Sequence, residues 1–459
     1  MQQENNVQAK SLDALSLVNA FLENPSYRAY KALASQALPA DIAEALKSLT
    51  EEQCRRFLTL LPSEFAADIF QELDLDLQVE LFGVLGAEKT ADIVSEMESD
   101  DAADVLSELD EKQANEILEG MQEEGEDVKD LLKYEEDTSG GIMATEYVAL
   151  NKDWDVNRAF EELRAICPDA DKAYYVYVVD DDGRLVGVLS LRDLVMAERT
   201  DKIADIMNEN VMSVKADTDQ EEAAHTFKKY GFLSLPVVDD EGRLTGIISA
   251  NDIIDVLDEE TTEDIQKMSA SLPLEGTYRS AKVLELWSKR VVWLLALFIT
   301  GALTSGIMKG NEALLGQFVT LIFFVPLLVD EGGNAGSQAS ATIIRALALR
   351  EFELGDYLKV LWKEFWVSAM LGLSLAVLAF AAAVVMPSES LHWMQAGTIV
   401  GLSTLIVVLF GSVIGSVLPL AAHMAGLDPA VLAGPVITTI VDSAGLLIYF
   451  GIAKSVLGF

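Results

Sequence analysis

The sequence predicts a multidomain protein. It reads as an acidic α-superhelical N domain, an α/β region built twice from one unit, a connecting helix, and a five-helix all-α transmembrane domain. Three observations predict this: the placement of charge, a short period early in the chain, and five long apolar stretches late in it. The chain has 459 residues, 51% of them hydrophobic, yet its formal net charge is −41. Residues 1–280 carry 24 Lys and Arg against 63 Asp and Glu, a net of −39; residues 281–459 carry 9 against 11, a net of −2. An acidic soluble part is therefore joined to a nearly neutral, apolar part.

Such acidity argues against nucleic acid as a partner, whose phosphates it would repel. It argues equally against docking on anionic lipid headgroups and favours cations. Cys54 and Cys167 lie far apart and suggest no disulfide framework. The opening residues, MQQENNVQAK, hold no apolar run of the kind a cleaved signal needs, so the acidic part is expected in the cytosol.

Residues 50–121 divide into six pieces of twelve, from TEEQCRRFLTLL through PSEFAADIFQEL to DEKQANEILEGM. Positions eight, nine and twelve are apolar in nearly every piece, as in Phe57, Leu58 and Leu61. That spacing makes one stripe on a helix. Each piece opens on a helix starter or breaker such as Thr50, Pro62 or Asp74. A helix this short cannot bury its stripe alone, so the units are expected to stack into a superhelix. The repeat is then either a scaffold or a scaffold whose acidic face, with Glu64, Glu96 and Asp100, contributes to a cation site.

After residue 137 the pattern turns to short β runs. YVVDDDGRLVGVLSLRDL at 177–194 matches PVVDDEGRLTGIISANDI at 236–253, offset by 59 residues. Each copy reads as a Val-rich strand, an Asp-Gly turn, a second strand and a helix start. These copies resemble paired CBS domains, over residues 138–200 and 201–258. The resemblance implies regulation, with ATP as a ligand such pairs often take, and no Walker motif supports hydrolysis. Acids thicken at the exit: Asp252, Asp255, Glu259 and Glu263 recur every three to four residues and share one helix face. Like charges at that spacing destabilise a helix unless something neutralises them, and a bound divalent cation is the preferred reading over plain solvation.

The apolar part holds five stretches long enough to span a bilayer, near 289–308, 314–344, 359–386, 395–425 and 430–454. With the N-terminus inside, the inner flanks carry Arg279, Lys282, Lys289, Arg290, Arg345, Arg350, Lys359 and Lys363. The outer flanks carry Lys309 and Lys454, as the positive-inside rule requires. Five spans put the C-terminus outside. No Lys or Arg lies between Lys363 and Lys454, yet Asp442 sits mid-span. A carboxylate there costs about 2.5–3.5 kcal/mol, so it is expected to face water, a partner or an ion. Asp428, fourteen residues earlier, is expected on the same side of the same helix, about 21 Å away. The run DEGGNAGSQ at 330–338 is expected to break the second span, its freed carbonyls joining the amides of Asn334 and Gln338 as oxygen donors. His225, His392 and His423 are isolated, which disfavours zinc and copper. One carboxylate with carbonyls suits hydrated Mg²⁺, which keeps several waters.

Together, the twelve-residue repeat, the CBS copies, GGNAGSQ and GLDPAVLAGPVITTIVDSAGLLIYF resemble the MgtE family of magnesium channels over nearly the whole chain. The resemblance implies an N domain at 1–137, the CBS pair, a plug helix near 251–272 with its connection to 284, and a pore domain at 285–459. It implies a homodimer in the cell membrane with a pore between the two chains, and no enzymatic activity. Asp442 and Asp428 match the family's membrane carboxylates; Gly332, Gly333, Asn334, Gln338 and Thr438 match pore-lining positions. Asp219, Glu221, Asp252, Asp255, Glu260, Glu263 and Asp264 match ligands of regulatory Mg²⁺, with Glu64, Glu96 and Asp100 in the N domain. Gly231 stands where relatives can carry an acid, and Asp330 and Glu331 add charge ahead of GGN. The expected function is import of Mg²⁺ down its gradient, closed by cytosolic Mg²⁺ on the acidic part. The alternatives are a CBS-regulated carrier of Co²⁺ or Mn²⁺ and a membrane-anchored nucleotide sensor, though a mere anchor needs neither Asp442 nor the glycine run.

Overall fold

The computed structural model describes residues 2–121, 124–166, 175–274, 278, 281–386, 391–432 and 434–459; Cys167 and Arg279 lie outside them. The chain divides into two compact units, Met1–Glu260 and Thr261–Phe459.

The first unit opens with α1 (Gln2–Glu23), α2 (Tyr27–Gln36) and α3 (Pro39–Leu46). Then comes one helix per twelve-residue piece: α4 (Glu51–Leu60), α5 (Ser63–Gln71), α6 (Leu75–Leu85), α7 (Ala87–Val94), α8 (Ser99–Ser107) and α9 (Glu111–Gly120). Their N-caps are Thr50, Pro62, Asp74, Gly86, Glu98 and Asp110, the first residue of each piece. Thr50 and Gln53 cap each other reciprocally, and Asp110 accepts the Lys112 and Gln113 N–H groups at 3.1 and 3.0 Å. These side chains satisfy donors that a helix start leaves orphaned. Gly86 takes φ +85°, a conformation that favours glycine, and so ends α6 and starts α7 in one residue. The apolar stripe is buried as expected: Phe57, Leu58, Ile69, Phe70, Leu81, Phe82, Ile93, Val94, Val105 and Leu106. Each such side chain contributes about 1.5–3 kcal/mol by leaving water. The last helix of this run is α10 (Glu124–Leu131).

Two α/β copies follow. The first holds β1 (Ala149–Asn151), α11 (Val156–Ile166), β2 (Tyr175–Val179), β3 (Leu185–Ser190), α12 (Leu191–Met196) and α13 (Ile203–Ile206). The second holds β4 (Val214–Lys215), α14 (Gln220–Tyr230), β5 (Ser234–Val238) and β6 (Leu244–Ser249). Both sheets run in strand order, the first pair parallel and the second antiparallel. The 59-residue offset carries β2 onto β5 and β3 onto β6. Gly183 and Gly242 take φ +79° and +80° in the tight turns. The copies are interleaved. Ala144 of the first copy, ahead of β1, exchanges backbone hydrogen bonds with Ile247 of the second, at 2.8 and 2.9 Å. Val188 and Asn208 make the matching exchange at 3.0 and 2.8 Å. The second copy shares one hydrophobic core with the superhelix, running from Val18 to Val256; the first copy has its own around Val176 and Leu189.

The helix α15 (Ala250–Met268) begins in the first unit and ends in the second. It stops short of the expected residue 272. Ala270 takes φ 53°, and the Leu274 N–H turns back to Gln266 Oε1 at 2.8 Å.

The second unit contains α16 (Val283–Gly310), α17 (Glu312–Gln317), α18 (Val325–Ala348), α19 (Tyr357–Val385), α20 (Trp393–Met424) and α21 (Pro435–Leu457). Among the described residues, five stretches are long and apolar enough to cross a membrane: Val283–Gly310, Val319–Ala348, Leu354–Val385, Trp393–Met424 and Ala430–Leu457.

Two expectations fail here. DEGGNAGSQ does not break its span; α18 is helical throughout, so no carbonyls are freed there. Pro326 sits in the first turn, where a missing N–H costs nothing. The glycines serve packing. A Cβ on Gly336 would lie 2.7 Å from Ile437 Cγ2 and 2.9 Å from Gly411 O, and one on Gly332 would lie 2.5 Å from Val407 Cγ1. Small residues that let backbones approach are what hold membrane helices together. Nor does Asp428 share a helix with Asp442. It lies in the connection between α20 and α21, followed by Pro429, a 3₁₀ turn at Ala430–Leu432, and Gly434 at φ 44°. Asp428 Oδ1 accepts the Ala430 N–H at 2.7 Å and stabilises that turn.

Replacing Gly336 by Val should push α18 off α20 and α21. The expected outcome is a clear drop in the melting temperature of the detergent-solubilised protein, whereas Gly306→Val, with open space around it, should leave it unchanged.

Candidate functional site

The named acids fall into three groups. The first lies within the Met1–Glu260 unit. Asp100, in the first turn of α8, is 6% exposed, and its Oδ1 has no hydrogen-bond partner. Burial, then the charges of Asp252, Asp101 and Glu98, raise its carboxyl well above the ordinary range. Burial likewise pushes Asp101 up to about 6, against a hydrogen bond from Gln71. Asp104 is exposed, yet the protein crowded around its carboxyl and the neighbouring Asp101, Glu259 and Glu136 push it up to about 7. Burial also raises Asp252, Asp255 and Glu259. Thus α8 sets its acids against those of α15, and neither side supplies a basic neutraliser to Asp100.

Several named acids also shape the fold locally. The Ser249 N–H and hydroxyl donate to Asp252 at 2.6 and 2.9 Å, a helix-start box that Ser190 and Asp193 repeat in the first copy. Asp219 caps α14 by accepting the Glu221 N–H at 2.9 Å. Glu260 Oε1 accepts from Gln220 at 2.8 Å. Gly231 ends α14 at φ 67°, where an acidic side chain would be strained. Glu64, Glu96, Asp219 and Glu221 are exposed, and Glu64 and Glu96 do not join the Asp100 group by any contact described.

The second group lies in the Thr261–Phe459 unit. Lys267 Nζ bridges Glu263 Oε1 at 2.6 Å and Asp428 Oδ2 at 2.8 Å. Burial works against its charge, yet hydrogen bonds to Asp428 and Glu263 hold the ammonium above its usual range. Asp264 is raised by burial and by Asp428, with Lys267 opposing. Met268, next along, packs on Ile344 and Ala430.

The third group is at membrane depth. A Cβ on Gly333 would lie 3.3 Å from Thr438 Cγ2 and 3.8 Å from Asp442 Oδ1, so α18 leaves room beside that carboxylate. Asp330, one turn away on α18, is close enough for the two carboxylates to repel. Asp330, Asn334, Gln338, Thr342 and Arg345 are all exposed and, at spacings of three to four, form one polar stripe along α18. Asp442 and Glu331 are half-buried.

Among the described residues, no three His, Cys, Asp or Glu side chains are arranged to hold a metal ion directly. What the groups offer is oxygen, partly desolvated and short of positive charge, with Asp100 Oδ1 buried and unpartnered. That chemistry fits a hard cation held through water. Sequence reasoning passed over Asp101, Asp104 and Glu98; the run ESDDAAD at 98–104 was the signal, four acids within seven residues at the start of one helix. Lys267, a lone base after DEETTEDIQ, was missed as well.

Five apolar helices carrying a carboxylate beside a polar stripe, joined to an acidic superhelix and a CBS pair, define a membrane transporter of divalent cations. The MgtE model, described as a divalent cation transporter, matches residues 325–452; the MgtE intracellular N domain matches 37–137, and CBS domains match 139–199 and 203–259. The chain is 42% identical over 334 residues to the magnesium transporter MgtE of Thermus thermophilus, covering 72% of each. It is 32% identical over 451 residues to that of Bacillus subtilis, covering 98% of this chain and 99% of the relative. A crystal structure of the soluble part of a magnesium transporter is 34% identical and covers 55% of this chain and 99% of that one, with a TM-score of 0.51. The chain belongs to the MgtE family of magnesium transporters.

The raised carboxyls of the first group have a defined sign. A carboxyl whose folded pKa exceeds its unfolded value of 3.8 stabilises the fold below that value and loses the contribution as pH rises through about 6 for Asp101 and about 7 for Asp104. In chelator, the melting temperature of the full chain should therefore fall between pH 5 and 8. The D101N/D104N double variant should flatten the slope, and millimolar Mg²⁺ should abolish it.

Proposed function

We propose that the chain is a Mg²⁺-selective channel, working as a homodimer, that imports Mg²⁺ down its electrochemical gradient and is closed by Mg²⁺ on its cytosolic side. The observation that carries this reading is the polar stripe of α18 beside Gly333, Thr438 and Asp442. A row of amides, hydroxyls and charges exposed on one chain at membrane depth needs water or a second chain against it. A two-fold axis along that stripe supplies both, with two copies of Asp442 facing one ion path. The glycines keep the wall thin, so Asp442 Oδ1 reaches the path past Gly333.

Mg²⁺ passes with most of its water. Its first shell meets Asp442, Thr438, Asn334 and Gln338, and no cage of direct ligands is needed. The membrane potential assists, at roughly 2.3 kcal/mol per charge per 100 mV. On the inner side, Mg²⁺ between α8 and α15 neutralises Asp100, Asp101, Asp252 and Asp255, so that these elements pack; without it they repel and loosen. Ion occupancy thus biases two arrangements of α15, the element whose far end bears Glu263 and Asp264. The basic flanks orient the protein with its N-terminus in the cytoplasm and its C-terminus outside the cell membrane. ATP is a second ligand of the regulatory part in this reading, supported by the match of both copies to the CBS model.

The test is Mg²⁺ uptake into liposomes. The parent protein should carry Mg²⁺ with or without an imposed pH gradient, and Asp442→Ala should lower the flux at least tenfold. Intact flux in that variant refutes the pore assignment, and flux that follows the pH gradient makes the protein a proton-coupled carrier instead. Removing residues 1–130 should leave uptake less sensitive to Mg²⁺ trapped inside the vesicles.

A further inference from the structure

The second acidic group holds a feature that the channel reading does not use: it already contains a cation. Two carboxylates, Glu263 and Asp428, hold the ammonium of Lys267 between them, and its charge also acts on Asp264. The two oxygens of Asp428 are both engaged. Oδ1 accepts the Ala430 N–H at 2.7 Å, which fixes the carboxylate on its turn. Oδ2 meets Lys267 Nζ at 2.8 Å, and the same nitrogen meets Glu263 Oε1 at 2.6 Å. Lys267 is held there from behind. Its neighbour Met268 packs on Ile344 and Ala430, and a side chain on Gly434 would strike the Met268 carbonyl.

A divalent ion approaching Asp428 therefore meets an oxygen that is occupied. It must displace the ammonium from Oδ2 or accept a site with one charge fewer. Lysine suits this exchange. Its ammonium is a compact point charge on a flexible stem, well solvated once released, whereas a guanidinium forks onto carboxylates in a fixed plane. With three acids and one base, the group keeps a net charge of −2 and still attracts a second cation.

We propose that Lys267 is a tethered competitor for the inner acids Glu263, Asp264 and Asp428, and that it sets the divalent-ion concentration at which they are occupied. This rests on reading those acids as a cation station. Lys267 is a positioning residue, acting through Asp428, and its removal has a sign opposite to the loss of a structural ion pair. A lost clamp loosens this region at every ion concentration, whereas a lost competitor lets divalent ions bind sooner.

The experiment uses the full chain in lipid nanodiscs, titrated with Mg²⁺ alone. Hydrogen exchange of residues 261–274 and 425–432 is followed by mass spectrometry, so transport is not the readout. In Lys267→Gln, the Mg²⁺ midpoint for protection should fall about tenfold, as expected from removing one cation at contact distance. Lys267→Met should behave in the same way and carries the test should Lys267→Gln fold poorly. Lys267→Arg, which keeps the charge, should stay near the parent midpoint. An unchanged or higher midpoint in both neutral variants overturns the competitor and leaves the cation station standing. No Mg²⁺-dependent protection in any variant, the parent included, overturns the station and the competitor together.

Discussion

Backbone contact between α18 and α20 is the constraint on which the membrane unit depends. Gly332 and Gly336 on one helix face Gly411 and Gly415 on the other, so closely that a Cβ on either of the last two would run into the opposing carbonyl. Both helices stay regular because nothing projects between them. α21 then packs in the same groove, Ile437 and Val441 lying over Gly336 and Gly332. This places Thr438 and Asp442, on the next face of α21, beside Gly333. The site is thus a by-product of packing: the glycines that join the helices also clear the space in front of the carboxylate.

The soluble part is organised by the opposite force. Its superhelix is closed by apolar stripes, but its surfaces carry acids that burial makes costly to ionise. Asp100, Asp101 and Asp104 on α8 confront Asp252, Asp255 and Glu259 on α15. Some of these acids are tied to the backbone. Asp252 completes the start of α15 with Ser249, so its position is set by the helix whose charge it contributes. A residue with a local structural task holds its carboxylate in place more firmly than an untethered surface side chain would. Glu64 and Glu96, exposed and without such ties, contrast with it.

Much of this was legible in the sequence because it is periodic. Six pieces of twelve residues gave six helices, each with its piece's first residue at the N-cap position and two of them, at Thr50 and Asp110, capped by that side chain, since helix start and stripe are both local signals. The 59-residue offset gave two like sheets, since strand and turn chemistry is local too. What was not legible depends on partners distant in sequence. The glycines of α18 looked like helix breakers because propensity is judged against water; packed on Gly411 and Gly415 they are contacts. Asp428 looked like part of a long helix because the hydropathy is continuous through 430–454, while Pro429, Gly434 and Pro435 set the true start. Asp101 and Lys267 take their meaning from Asp252 and Asp428, which lie 151 and 161 residues further along the chain.

The interleaving of the two α/β copies has a consequence for how this region can be divided. Ala144 edges the sheet that contains Ile247, and Asn208 edges the one that contains Val188, so each fold finishes its neighbour's border. Cutting the chain between the copies would leave two raw strand margins, each a template for sticking to a stranger. A fusion or excision that keeps both sheet margins covered therefore has to carry the two copies together, from Ala144 through the end of β6 at Ser249.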